Sequence, residues 1–229
     1  MQPAIHHSWD ISEQEAIALQ RDLASKVIRT DELEAVKLVA GVDVAYSKHS
    51  NTLVAAVAVL DAASGELLET VTIQDQEQFP YVPGLFSFRE LPPIIKAFEQ
   101  LSSTPQLVVC DGQGLANPRR FGLACHLGVL FDIPTIGCGK SRLIGQETEP
   151  GKERGAMTPL VDEDEVIGAA LRTQTGIKPI YVSIGHKISL STACQWVLEL
   201  SPNYRLPETT RLSDQAVRKV IKDLEMGTS

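Results

Sequence analysis

Three acidic residues occupy positions at which buried elements rarely carry charge. Asp43 lies within the apolar stretch 39–45, Asp111 follows the apolar stretch 107–110, and Glu90 comes early in a predicted helix. A carboxylate in apolar surroundings destabilises a fold unless it is paired or binds a metal ion. Because carboxylate oxygens are the ligands that Mg²⁺ prefers, these acids predict a metal site.

Such a site would suit the hydrolysis of phosphodiester bonds. Two divalent cations about 4 Å apart can hold both the attacking water and the leaving oxygen of an in-line displacement. An ordinary structural role stays open for Asp111, because an Asp-Gly pair after a strand is also typical of a turn. The same explanation is weaker for Asp43, which lies in the middle of its strand. The residue pattern alone leaves both interpretations standing.

A Gly-Lys-Ser triplet at 139–141 contains a lysine that could act on a phosphate. A nucleotide-binding P-loop would need a glycine at position 134, where the chain has Pro134, so an ATPase is disfavoured. Lys140 is then either an exposed surface lysine or a residue at a strand end that contacts a phosphate or orients a water.

The segment Pro80-Tyr81-Val82-Pro83 predicts a stiff loop with an aromatic side chain at its tip. Flanking prolines restrict the unfolded chain and so lower the entropic cost of holding the ring in place. A rigid aromatic side chain can insert into a base stack. A buried loop tyrosine is the alternative.

Hydrophobic periodicity predicts an α/β protein with a mixed sheet in one domain spanning 1–229. The expected helices cover 11–28, 87–101, 121–131, 190–200 and 211–224, and the expected strands cover 38–46, 53–60, 67–73, 107–110, 135–138, 166–171 and 180–184. The first three strands should form an antiparallel meander, and the strand-helix-strand unit at 107–138 should pair in parallel. Pro92 and Pro93 are expected near the first turn of their helix. The segment 139–158 is expected to be a long loop, of a length that is typical of functional or disordered segments.

Composition is that of an ordinary water-soluble domain, with 43% hydrophobic and 22% charged residues. The sequence contains no apolar run of about 18 residues, and its first ten residues lack a signal pattern, so a cytoplasmic protein without a membrane span is expected. The four cysteines form no CxxC pair and are expected to be small buried hydrophobic residues.

The net charge of −8 argues against a nucleic-acid-binding protein when it is taken alone. That objection is limited, because charge distribution matters more than the sum and a cation-binding cleft is itself acidic. The basic residues concentrate at Arg119, Arg120, Lys140, Arg142, Lys152 and Arg154.

Seven short motifs, in order, are similar to those of the endonuclease V family (deoxyinosine 3′ endonucleases). They are GVDVAY at 41–46, PYVPGL at 80–85, FRE at 88–90, DGQG at 111–114, PRRFG at 118–122, GCGKS at 137–141 and YRLPE at 204–208. The resemblance extends from about residue 15 to about residue 220. Several motifs at suitable spacing are far more specific than any one of them.

This resemblance implies a ribonuclease H-like fold, with a mixed central sheet flanked by helices. It implies an enzyme that recognises deoxyinosine in DNA and hydrolyses the second phosphodiester bond 3′ to the lesion, which leaves 3′-hydroxyl and 5′-phosphate ends. Mg²⁺ would be the cofactor, with Mn²⁺ as a substitute, and the enzyme is expected to act as a monomer.

The resemblance also assigns roles to individual residues. Asp43, Glu90 and Asp111 match the family's metal-binding acids, Lys140 its active-site lysine and Tyr81 its wedge. The substrate-binding residues would be Pro80, Tyr81, Val82, Pro83, Gly84, Leu85, Gly112, Asn117 and Gly122. Two positions depart from the family: Asn117 replaces a histidine of many members, and Asp214, a further metal ligand, replaces a histidine of some.

Three alternatives remain at this point. Another ribonuclease H-like nuclease would not need the 80–83 wedge and the glycines around the expected pocket. A ribonuclease specific for inosine in RNA would differ mainly in its contacts to 2′-hydroxyl groups, which sequence does not reveal. A non-catalytic nucleic-acid-binding protein would have no use for three acids and a lysine.

Overall fold

A mixed sheet of eight strands forms the centre of the protein, in a computed structural model that describes residues 1–227. The strands are β1 (Leu38–Tyr46), β2 (Thr52–Asp61), β3 (Leu67–Gln76), β4 (Leu107–Cys110), β5 (Thr135–Gly139), β6 (Met157–Asp162), β7 (Glu165–Leu171) and β8 (Ile180–His186). Their order across the sheet is β3-β2-β1-β4-β5-β8-β7-β6. The last two residues of the predicted domain, 228–229, lie outside the described residues.

Five helices cover the two faces of this sheet within the described residues. They are α1 (Glu13–Ala24), α2 (Phe86–Gln100), α3 (Leu123–Phe131), α4 (Leu190–Glu199) and α5 (Glu208–Gly227). None of these helices is both long enough and apolar enough to cross a membrane. The predicted mixed α/β fold is confirmed.

The strand pairings match the expected meander and parallel unit. β1 pairs antiparallel with β2, and β2 pairs antiparallel with β3. β4 lies parallel to both β1 and β5. The parallel strands end at the same edge of the sheet, which brings the residues that follow β4 and β5 close to β1.

Alternation along the strands explains the two hydrophobic layers. Ala40 and Val42 of β1 pack with Ile94 of α2 and Leu127 of α3, whereas Val39 packs on the opposite face with residues of α4. Such a period of two is what a strand buried on both faces requires. The buried sheet provides a rigid base for the side chains at its edge.

Two predictions about elements were wrong. The segment 139–158 is not all loop, because β6 begins at Met157. β6 was missed because it is a half-exposed edge strand that contains Pro159, and proline is tolerated in strands mainly at an edge. Pro92 and Pro93 lie in the second turn of α2 rather than near the first, since the helix begins at Phe86.

Candidate active site

The pairing of β1 with β4 brings Asp43 and Asp111 together. Val42 lies opposite Cys110 in the parallel register. The backbone N–H of Asp111 continues this ladder by donating to the carbonyl of Val42 at 3.1 Å. Asp111 therefore leaves β4 at the level at which Asp43 lies in β1.

Helix α5 supplies a third carboxylate, from Asp214. Its first turn packs directly on β1, where a Cβ on Gly41 would lie 2.2 Å from the backbone of Thr209. Only glycine permits this approach. One carboxylate oxygen from each of Asp43, Asp111 and Asp214 lies within 4.8 Å of the others. We call these three residues the acid cluster.

Two cations partly neutralise the acid cluster. Nζ of Lys140, at the end of β5, forms an ion pair with Asp111 and lies 3.6 Å from Oδ1 of Asp214. Nε of Arg218 lies 2.7 Å from Oδ2 of Asp214. When all three carboxylates are ionised, their negative charge exceeds that of the two cations. A set of carboxylate oxygens with excess negative charge fits a hard divalent cation such as Mg²⁺ or Mn²⁺.

The proton affinity of Asp43 reflects its crowded position. Burial raises the pKa of Asp43 to about 8, and the neighbouring Asp111 carboxylate adds to the rise, although Lys140 opposes it. The backbone N–H of Val44 donates to Oδ1 of Asp43 at 2.8 Å, which also favours the charged form. In the metal-free protein Asp43 therefore holds a proton at neutral pH, and a bound cation would displace that proton.

Glu90 lies outside the acid cluster, on a wall of the adjoining cavity that Asp111 also lines. The hydroxyl of Tyr46 donates to Oε1 of Glu90 at 2.8 Å. Burial raises the pKa of Glu90 to about 7, while the Tyr46 hydrogen bond opposes that rise. The guanidinium of Arg89 lies 4.8 Å from the centre of the Tyr46 ring. Tyr46 therefore holds Glu90 in place.

These raised pKa values predict metal binding that depends on pH. We expect the affinity for Mn²⁺ to rise between pH 6 and pH 8, because a cation held by Asp43 (pKa about 8) and Glu90 (pKa about 7) would have to displace their protons. Titration calorimetry in two buffers of different ionisation enthalpy at pH 7 should detect proton release. Release should vanish at pH 9, which is the internal control. Affinity that is constant from pH 6 to pH 8, without proton release, would contradict this charge state.

A cavity of about 350 Å³ adjoins the acid cluster and is large enough for a small ligand. Its lining includes Asp111, which belongs to the acid cluster, and Lys140, which forms an ion pair with Asp111. The rest comes from the start of α2, the segment after β4 and the segment after β5. We call it the glycine cavity, because its lining includes Gly84, Gly112, Gly122 and Gly139.

Two buried amide side chains shape the glycine cavity. Nε2 of Gln20, from α1, donates to the carbonyls of Gly84 at 2.8 Å and Phe121 at 2.7 Å. Asn117 donates to the same Gly84 carbonyl at 3.3 Å and accepts from the backbone N–H of Arg119 at 3.1 Å. Gly84 adopts a φ of +83°, where a side chain would be strained. Gln20 and Asn117 therefore fix the loop before α2 against the segment before α3.

The predicted substrate-binding residues do not all face the glycine cavity. Gly84, Gly112, Asn117 and Gly122 line it. The side chain of Leu85 is instead fully buried, and it packs with Ala16, Phe79 and Phe88.

The loop at 80–83 projects from the protein near this cavity. Pro80 and Pro83 are exposed, and Val82 is half-buried. Tyr81 is 68% exposed, so it is not a buried loop tyrosine, and its ring packs edge-on against Phe86 with centres 4.9 Å apart. Phe86 itself lines the glycine cavity. Tyr81 therefore lies beside the cavity with most of its ring available to a partner.

Known proteins share this arrangement over nearly the whole chain. The family model described as Endonuclease V matches residues 21–215. An endonuclease V from Rippkaea orientalis is 51% identical over 202 residues, which cover 88% of each chain. One from Nostoc punctiforme is 47% identical over 210 residues, which cover 91% of this chain and 95% of that protein. The chain belongs to the endonuclease V family.

Solved structures of this family have the same fold. Endonuclease V from Streptomyces avermitilis superposes with a TM-score of 0.91 at 44% identity, covering 96% of this chain and 98% of that one. A second structure is endonuclease V from Ciona intestinalis in complex with a 23mer DNA containing an inosine followed by a ribo-adenosine. It superposes with a TM-score of 0.84 at 31% identity, covering 93% of this chain and 100% of that one. The A. aeolicus Argonaute shares the fold alone, with a TM-score of 0.51 at 16% identity over 82% of this chain and 29% of that one. The expected ribonuclease H-like fold is confirmed.

Three residues around the site were not predicted from sequence. Tyr46 holds Glu90, Gln20 braces the glycine cavity and Arg218 pairs with Asp214. Gln20 could have been noticed in the sequence, because it is a polar residue on the apolar face of the predicted first helix. Arg218 lies four residues after Asp214, which is the spacing of a helical ion pair.

The basic residues expected to form a nucleic-acid surface have internal partners in several cases. Arg120 pairs with Asp162 and Glu165, at 2.9 and 2.6 Å. Arg142 pairs with Glu147 at 2.8 Å. Arg154 donates to backbone carbonyls of α4 and its C-terminal flank. These arginines stabilise loops around the sheet, and part of the charge needed for a nucleic acid must come from other residues.

Proposed function

We propose that this protein hydrolyses the second phosphodiester bond 3′ to deoxyinosine in DNA, leaving 3′-hydroxyl and 5′-phosphate ends, and that residues 1–229 act as one domain in a monomer. One observation carries the proposal: Asp111 belongs both to the acid cluster and to the lining of the glycine cavity, and Lys140, its ion-pair partner, lines that cavity as well. A base held in the cavity would place its own strand across the carboxylates. Recognition and cleavage would then occur on one continuous surface.

Mg²⁺, with Mn²⁺ as a substitute, is the proposed cofactor. Asp43, Asp111 and Asp214 would hold it, and Glu90 on the neighbouring wall would contribute a further carboxylate. When bound, such a cation lowers the pKa of water and stabilises negative charge on a phosphoryl group. The carboxylates of this chain would fix its position, and Tyr46 would orient Glu90 through the hydrogen bond that it donates.

Lys140 would act on the phosphate next to the acid cluster. Its ammonium group carries three donors on a flexible stem, and Asp111 holds it beside the carboxylates. Interactions of Asp111, Asp43 and Asp214 raise the pKa of Lys140, although burial opposes them, so the side chain stays protonated at neutral pH. A fixed cation at this point would stabilise the charge that develops on the phosphate oxygens.

The glycine cavity would read the base after it has left the duplex. An enzyme that acts next to one base must remove it from the stack, and mispaired bases are the easiest to remove. Hypoxanthine differs from adenine at its hydrogen-bonding edge, so backbone donors and acceptors can distinguish them. The absence of side chains at Gly84, Gly112 and Gly122 would let the backbone approach the ring.

Tyr81 would fill the gap that the departed base leaves. We expect Tyr81→Ala to lower kcat/KM on duplex DNA containing inosine by about tenfold more than on single-stranded DNA, because stacking contributes about 1–3 kcal/mol per base and 1.36 kcal/mol corresponds to tenfold. Parallel assays of both substrates measure this difference. Tyr81→Phe keeps the ring and should retain the preference. Equal losses of Tyr81→Ala on the two substrates would exclude a wedge.

Inosine in RNA is a second candidate substrate. The Ciona intestinalis complex contains a ribo-adenosine after the inosine, so a relative of this chain accommodates a ribonucleotide at that position. The two substrates differ in their 2′-hydroxyl groups. Matched strands with deoxyribose or ribose around a single inosine, assayed at equal concentration, distinguish the two activities by their kcat/KM values.

The proposed function is tested by a nicking assay with the purified protein. A labelled duplex with one inosine should be cut in Mg²⁺ or Mn²⁺ and stay intact in EDTA. The same duplex with adenine in place of inosine is the control and should remain uncut. Failure to cut in either metal, on both DNA and RNA, would overturn the proposal.

A further inference from the structure

A second cavity, of about 500 Å³, adjoins the glycine cavity and is lined by the whole acid cluster. Asp43, Asp111, Asp214 and Lys140 form one part of its lining. The glycine cavity also contains Asp111 and Lys140. Asp111 and Lys140 therefore form the boundary that the two cavities share.

Beyond the acid cluster and Lys140, three of the four charged residues that line this second cavity are cations. Lys48 comes from the turn between β1 and β2, and Arg218 and Lys222 come from α5. Glu225 also lines this cavity and accepts the backbone N–H of Lys48 at 3.3 Å. We call Lys48, Arg218 and Lys222 the cation track.

The spacing of the track follows the helix. Asp214, Arg218 and Lys222 are four residues apart, so they share one face of α5 and move away from the acid cluster turn by turn. A rise of 1.5 Å per residue separates Arg218 from Lys222 by about 6 Å. One strand of B-DNA carries a phosphate about every 3.4 Å along its axis, so the part of the track on α5 is long enough for about two phosphates.

We propose that the cation track binds the phosphates of the DNA strand immediately 3′ of the cleaved bond. This inference rests on the proposed function, which puts inosine in the glycine cavity and the cut at the acid cluster. The strand then runs from the glycine cavity, across the carboxylates, into the second cavity. Because the cut lies 3′ to the lesion, the nucleotides in the second cavity are those on the 3′ side.

The charge distribution favours this occupant. Arg120, Arg142 and Arg154 have partners within the protein. In contrast, the side chain of Arg218 is 72% exposed despite its ion pair with Asp214, and Lys222 is exposed. Both cations can reach a phosphate from α5 without the loss of a buried contact. A protein with a net charge of −8 needs such local cations to hold a polyanion.

The test combines an Arg218→Ala/Lys222→Ala variant with substrates that end two, four, six or ten nucleotides 3′ of the cut. The wild-type protein should lose kcat/KM as the 3′ segment shortens, whereas the variant should be slower on the longest substrate and nearly insensitive to length. Raising the salt concentration from 50 to 200 mM should lower the kcat/KM of the wild type by about tenfold more than that of the variant. The reason is that each phosphate contact contributes about 0.9 to the slope of log affinity against log salt concentration.

Two controls isolate the track. Lys26→Ala/Lys219→Ala removes the same charge from exposed positions outside the cavity, and it should keep the wild-type dependence on length and salt. The Lys222→Glu variant reverses a charge that does not contact the acid cluster, whereas Arg218→Ala also removes the ion pair of Asp214. An effect of Lys222→Glu therefore reports on the track and not on a disturbed Asp214. Its kcat/KM should be as insensitive to 3′ length as that of the double variant.

The outcomes distinguish this inference from the proposed function. If the wild type does not cut DNA containing inosine at all, the proposed function fails. If the wild type cuts but the Arg218→Ala/Lys222→Ala and Lys222→Glu variants keep its full dependence on 3′ length, the cation track is wrong and the proposed function stands. If the variants lose kcat/KM by the same factor at every 3′ length, the inference that the cation track binds the 3′ phosphates is also wrong.

Discussion

Replacing Asp111 by asparagine is expected to lower the rate of cleavage next to inosine by about a thousandfold or more, with the fold intact. Asp111 contributes an oxygen to the acid cluster, lines both cavities and pairs with Lys140. Losing a charged metal ligand removes several kcal/mol of transition-state stabilisation, and each 1.36 kcal/mol is tenfold. Single-turnover rates in Mg²⁺ measure the effect.

Asp43→Asn should cause a loss of similar size and should also separate catalysis from stability. The wild-type carboxyl group has a pKa of about 8 in the folded protein, well above its ordinary value, so ionising it disfavours the metal-free fold as the pH rises towards 8. The amide cannot ionise, so thermal unfolding of metal-free Asp43→Asn should depend less on pH between 5 and 8. Asp10→Asn, at an exposed position, is the matched control. Cleavage at the wild-type rate by either active-site variant would exclude the metal site.

Lys140→Ala is expected to lower kcat by about a hundredfold without weakening the binding of Mn²⁺. Loss of one preorganised donor at a developing charge typically costs about a hundredfold to a thousandfold in kcat. Removing the ammonium group also removes a competitor for the Asp111 carboxylate, so the metal affinity should stay equal or increase. Rapid-quench rates and Mn²⁺ titrations measure the two quantities.

Lys26→Ala removes an exposed lysine remote from both cavities and should match the wild type in both assays. A Lys140→Ala variant that loses metal binding in proportion to its rate would make Lys140 a structural support of the cluster. One that cuts at the wild-type rate would make it an ordinary surface lysine.

The parts of the site that the sequence predicts are those with a local signal. Asp43 interrupts an apolar strand, and Asp111 ends another. A charge at such a position is costly enough to indicate a function. The parallel unit β4-α3-β5 was also predictable, because a strand, a helix and a strand in close succession favour parallel pairing. These features place two carboxylates and Lys140 at one edge of the sheet.

Other parts depend on tertiary contacts that leave little trace in the sequence. Asp214 lies on an amphipathic helix, and only the close packing of α5 on Gly41 brings it to β1. Glu90 accepts a hydrogen bond from the hydroxyl of Tyr46, which is 44 residues away in sequence. Gln20 donates to the carbonyls of Gly84 and Phe121, which are 64 and 101 positions away in sequence. No local pattern reports such contacts.

The central claim is that one strand passes from the glycine cavity across the acid cluster. Mapping the cut to single-nucleotide resolution tests it most directly. Duplexes with one inosine and a label at either end of the inosine strand should be cut in Mg²⁺ at a single bond, the second on the 3′ side, leaving 3′-hydroxyl and 5′-phosphate ends. Moving the inosine by one nucleotide should move the cut by one nucleotide. Cuts on the 5′ side, or cuts whose position does not follow the inosine, would contradict the arrangement.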